Sequence, residues 1–212
     1  MASSVPRLWP GSTVVCIGSG PSLTQADVDA CREKARVIVV NDAYKLALWA
    51  DLLYACDSKW WKWAHTDKKR HPHFADFHGL KFALEPQQMR WPQVQTLRNM
   101  GPYGLELNPV GVRTGSNSGY QAINLAVHFG AKRILLLGYD MKLSGSRAHF
   151  FGPTGAHPDN SKPPFQACLK AFQTLVAPLA KAGVDVINCT PGSALKAFPM
   201  ASLRDVLIER AA

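Results

Sequence analysis

Short, strongly apolar runs punctuate this chain and are separated by longer polar or amphipathic stretches. Val14, Val15, Cys16 and Ile17 form the first run, and RVIVV from Arg36 to Val40 forms the second. The segment WADLLYACD from Trp49 to Asp57, Ile134 to Leu137 and Val184 to Ile187 repeat the pattern. Runs this short and this rich in β-branched residues predict strands buried on both faces. They fall near residues 13–18, 36–40, 52–56, 133–138 and 184–188. Between them the period changes to that of a helix. Thr24 to Asp29 opens one helix, and Ala122, Leu125, Ala126 and Phe129 stripe a second that Gly130 closes. Phe165, Leu169, Phe172, Leu175, Val176 and Leu179 stripe a third, ended by Gly183, and residues 202–210 make a short last one. The spacing of the first two strands is that of one β–α–β unit, so they should be parallel neighbours. The prediction is an α/β fold: a Rossmann-like, mostly parallel sheet with helices on both faces, in one domain over residues 1–212.

Two stretches escape the pattern. Residues 1–12 look like an irregular lead-in, and 65–109 lack periodicity apart from a strand at Lys81 to Leu84. The latter reads as a variable insertion or loop-rich crossover. The segment at about 141–164, rich in Gly and Pro, reads as a lid loop.

Candidate chemistry gathers where the strands end. Gly18, Ser19, Gly20, Pro21 and Ser22 follow the first strand and precede a helix. Such a turn aims free backbone N–H groups at one point, which suits a phosphate; it can equally be a tight turn without a ligand. Asn41 and Asp42 end the second strand and Asp57 the third, on the same rim. Asn117, Ser118 and Gly119 open the second helix and offer another anion site, and Asp140 follows the fourth strand. Lys142, Arg147, His149 and His157 sit on the lid. Trp60, Trp61 and Trp63 read as core, with a stacking platform for a base or sugar as the sharper alternative.

Composition narrows the class. Lys and Arg number 24 against 15 Asp and Glu, a net charge of +9 that favours anionic partners. The five cysteines form no C-x-x-C pair, which points to reduced, buried thiols and a cytoplasmic protein. No apolar run approaches the roughly 18 to 20 residues of a membrane span, and the start lacks the apolar core of a signal peptide.

Several motifs occur together: G-S-G-P-S-L at Gly18 to Leu23, Asn41, N-S-G-Y at Asn117 to Tyr120, A-K-R-I-L-L-L-G-Y-D at Ala131 to Asp140 and N-C-T-P-G-S at Asn188 to Ser193. In that order they resemble bacterial lipooligosaccharide-type sialyltransferases and their phage-borne relatives, over roughly residues 14–57 and 111–203. The resemblance implies an inverting glycosyltransferase with a nucleotide-sugar donor, CMP-linked in that family, and neither metal nor cofactor. It places Gly18, Ser19 and Gly20 on the nucleotide phosphate and ribose, Asn41 on the nucleotide or sugar, and Asn117, Ser118 and Gly119 around the pocket. Asp57 stands where the family has an asparagine. Lys142 and Arg147 replace the family's lid tyrosines in stabilising the departing phosphate. His157, displaced by a short insertion, would be the base, with His149 its competitor. The glycine motif also resembles an archaeal pterin pyrophosphokinase-like family.

Three functions therefore stay open. They are a metal-independent glycosyltransferase, a Mg²⁺-dependent pyrophosphokinase or other phosphoryl transferase, and a non-catalytic nucleotide or nucleic-acid binding protein. The acceptor, whether glycan, metabolite or DNA base, is not legible, and a homo-oligomer is compatible with all three.

Overall fold

The computed structural model describes residues 3–153 and 164–208. Its centre is a sheet of β1 (Thr13–Ile17), β2 (Arg36–Val40), β3 (Leu52–Ala55), β4 (Leu80–Leu84), β5 (Gln95–Asn99), β6 (Gly111–Val112), β7 (Arg133–Leu137) and β10 (Asp185–Asn188). The spatial order is β10-β7-β1-β2-β3-β4-β5-β6, and every neighbouring pair is parallel. A separate hairpin pairs β8 (Arg147–His149) with β9 (Gly152–Pro153).

Alternation along the central strands divides the core in two. Val14, Cys16, Ile38, Val40, Ile134 and Leu136 face α3 (Ser118–Phe129) and α4 (Phe165–Lys181). Val15, Ile17, Val37, Val39, Leu135 and Leu137 face α1 (Gln25–Asp29), α2 (Ser58–Thr66) and α5 (Leu203–Ile208). A strand with both faces buried has no polar side to show, which is why these runs are continuously apolar. The fold is the Rossmann-like α/β sheet that the pattern predicts, and the five predicted strands agree to about a residue at each end.

The middle of the chain is where the expectation fails. Residues 65–109 are not an insertion: β4 and β5 continue the parallel sheet, and β6 follows at its edge. Within β5 only Leu97 is buried, so QTLRN carries no apolar run to recognise. The lead-in is irregular but docked. Val5 and Trp9 are buried, Trp9 stacks on Phe129 at 4.2 Å, and the Ser3 N–H donates to Thr96 O at 2.9 Å.

The order of strands creates a crevice. From β1 the chain steps to β2 and onward to β6; β7 then lands on the other side of β1 and leads outward to β10. The loops after β1 and β7 thus diverge, and at such a switch point open α/β sheets bind ligands.

Candidate functional site

A cavity of about 140 Å³ lies at this switch point. It brings together most of the residues singled out from the sequence: Gly18, Ser19, Gly20, Asn41, Asn117, Ser118, Gly119, Asp140, Lys142 and His149. Val40, Gly138, Tyr139, Met141, Ala148 and Phe165 complete its wall, none of them singled out from the sequence as a candidate site residue. Pro21, Ser22, Asp42, Asp57 and Arg147 lie outside the lining. His157 lies outside the described residues.

The glycine turn spends three of its N–H groups within the chain: Gly18 N–H to Leu137 O at 2.7 Å, Gly20 N–H to Gly138 O at 2.9 Å, and Ser22 N–H to Asp140 Oδ1 at 3.1 Å. The Ser22 hydroxyl donates to Asp140 Oδ2 at 3.0 Å. A Cβ on Gly18 would stand 2.7 Å from Gly138 O, and one on Gly20 would run into the Asp140 carboxylate. These glycines let the loops after β1 and β7 touch. The helix that follows is also slight, since α1 has 5 residues and Thr24 caps it. Asp140, 3% exposed, is an acceptor for Ser22 rather than a rim ligand; burial raises its carboxyl pKa, opposed by the Ser22 bonds and the charge of Lys142.

Anion-binding capacity lies at α3. Asn117 caps this 12-residue helix by accepting from the Tyr120 N–H at 3.1 Å, and the Gln121 N–H donates to Asn117 O. The N–H groups of Ser118 and Gly119 precede the first possible intrahelical partner and find no hydrogen-bond acceptor among the described residues. Gly119 is required for packing, because a Cβ there would approach the Tyr139 ring to 2.8 Å, and the Tyr139 hydroxyl donates to Gly119 O at 3.0 Å. Asn41, Ser116 and Met141 all hold φ of +51°, a conformation unfavourable for side-chain-bearing residues. All three lie in or beside the cavity wall, where such strain is commonly kept for function. Asn41 Oδ1 is buried there without a hydrogen-bond partner.

The segment after β7 folds across the glycine turn. Phe150 N–H donates to Ser19 O at 3.0 Å, and Ser19 Oγ lies 3.0 Å from His149 Nδ1. The His149 ring stacks on Phe151 at 4.9 Å between centroids. Lys142 is exposed at the lining, whereas Arg147 is exposed on β8 outside it.

The remaining carboxylates are engaged elsewhere. Asp42 accepts from Trp60 Nε1 and from Lys45 Nζ, both at 2.7 Å, and so is a fold contact. Asp57 is exposed at the head of α2 with no side-chain capping bond. Trp60 and Trp61 are buried, and Trp61 Nε1 donates to Ala55 O at 2.9 Å; they are core. Among the described residues no three His, Cys, Asp or Glu side chains converge as a metal-binding group. None of the described helices is long and apolar enough to cross a membrane.

No family model matches this chain, and no curated protein matches it. Among solved structures, a short-chain dehydrogenase from Oenococcus oeni PSU-1 aligns over 94% of this chain and 88% of its own, at 12% identity and a TM-score of 0.22. A likeness at that level carries no argument about activity.

Proposed function

We propose that this chain is a metal-independent glycosyltransferase that takes its nucleotide-sugar donor at the switch-point cavity. The supporting observation is which groups converge there. The first-turn N–H groups of α3, Lys142 and the His149 imidazole share the lining, while among the described rim carboxylates Asp42 and Asp140 are bonded to the chain and Asp57 lies outside the lining. The series of motifs that resembles sialyltransferases adds a CMP-linked donor as the first to test.

On this reading the donor phosphate sits against Ser118 and Gly119, with Lys142 beside it. The acceptor oxygen forms its bond to the anomeric carbon as the bond from that carbon to the phosphate oxygen breaks. Negative charge grows on the departing phosphate, where aligned N–H groups and an ammonium stabilise it. His149 takes the acceptor's proton. In the tautomer that donates Nδ1–H to Ser19 Oγ, the Nε2 atom holds the lone pair for that task.

The test is calorimetric titration with CMP- and UDP-linked sugars, with and without EDTA, followed by product analysis. EDTA should leave affinity unchanged. His149→Ala should abolish transfer while donor affinity stays within about threefold, and Lys142→Ala should lower turnover with little change in affinity. Nucleotide binding only in the presence of Mg²⁺ would transfer the assignment to phosphoryl transfer.

A further inference from the structure

Phe151 stands 41% exposed on the turn joining β8 to β9, stacked on the cavity-lining His149. An apolar ring held so open to water has unspent burial energy. It is also fixed in place. The neighbouring Phe150 N–H is bonded to Ser19 O, and the Phe151 ring lies within 8° of parallel to the His149 ring. Lys45 Nζ stands 5.9 Å from the Phe151 centroid. Lys142 and Arg147, both ahead of this turn in sequence, are exposed, whereas among the described residues Asp42 is bonded to Lys45 and Trp60 and Asp140 to Ser22. The exposed charges of the described residues 141–153 are therefore positive, in a chain of net charge +9.

We infer that the acceptor is a nucleoside within a single-stranded RNA, its base seated on Phe151 and its backbone against the exposed Arg147. An aromatic face with flanking cations is what binds unpaired bases and the phosphates between them. A duplex hides base faces within its own stack, so the strand must be single or the base extruded. A base stacked in line with Phe151 and His149 stands beside the imidazole that removes the proton. The 2′-hydroxyl of that ribonucleotide then attacks the anomeric carbon, the donor phosphate leaves with the electron pair of the broken bond, and the hydroxyl proton passes to His149. This inference rests on the transferase reading for its chemistry, and its binding step can be tested separately.

Fluorescence anisotropy of a labelled RNA oligonucleotide of about 12 nucleotides, single-stranded or duplex, at two salt concentrations supplies the test. The single strand should bind more tightly than the duplex. Phe151→Ala should weaken it about tenfold or more, and Phe151→Trp should restore it, which also guards against a folding defect. Arg147→Ala should lower the slope of log affinity against log salt by about one. Equal affinity for the duplex, or for heparin, or an undiminished Phe151→Ala, would reduce the surface to general polyanion attraction and overturn the inference. Binding to anionic phosphatidylglycerol vesicles in preference to the oligonucleotide would overturn it too. Loss of nucleotide-sugar binding with oligonucleotide binding intact would overturn the transferase reading alone.

Discussion

Gly20 shows how a residue type read from sequence can be right and its reason different. Two glycines beside a strand end suggest room for a phosphate, and a branched side chain at Gly20 would then block the ligand. In the folded chain the space beside Gly20 holds the Asp140 carboxylate and, 2.6 Å from where a Cβ would be, Gly138 O. Gly20→Ala should therefore destabilise the protein itself, by about 2 kcal/mol in urea denaturation, before any ligand is added. An alanine variant of wild-type stability would show that the loops after β1 and β7 do not touch as described. His71 offers a second test at this scale. It is fully buried, its Nδ1 lies 3.0 Å from the Tyr44 hydroxyl, its Nε2 has no partner, and burial pushes its pKa from 6.5 down to about 4. As pH falls below 6.5 the unfolded chain takes up this proton first. Stability present above that pH is thus lost progressively down to about 4, where the folded form protonates as well. The loss amounts to roughly 3 kcal/mol. Burial lowers the pKa of His65 and His128 in the same direction, so His71→Phe should flatten the dependence of denaturation midpoint on pH without abolishing it.

Elements differ in how openly the sequence declares them. β1, β2, β3, β7 and β10 are apolar on successive residues because each is sandwiched, and α4 is apolar along one stripe because one side faces the sheet. Both signals are local and were legible. β5 and β6 were not, since a strand toward the sheet edge with one buried side chain needs no apolar run. The lead-in was legible only as irregular backbone. Its docking depends on Trp9 meeting Phe129, a partner 120 positions away by their numbering. Trp9→Ala should empty that contact and cost about 3 kcal/mol, measured by denaturant titration. A loss of only a few tenths would mean the segment is not held against α3.

Across the whole molecule, the candidate site was legible as a list of residues and not as an arrangement. Strand ends bearing Gly, Asn, Asp and Ser at one rim follow from the βαβ pattern, because parallel strands must all finish on the same side. Alternation of short apolar runs with amphipathic stretches was likewise enough to set the fold class, since each run reports its own burial and needs no distant partner to do so. What only the tertiary structure decided is which rim residues meet. The side-by-side placement of β1 and β7 joins Ser22 to Asp140 across 118 positions and Ser19 to His149 across 130. That pairing closes the glycine turn on a carboxylate of the chain itself and gathers the first turn of α3, Lys142 and His149 around one cavity. A hydrogen-bond donor looks free in sequence until its partner is known. Here the partners come from the far side of the switch point, and strand order is what brings them there.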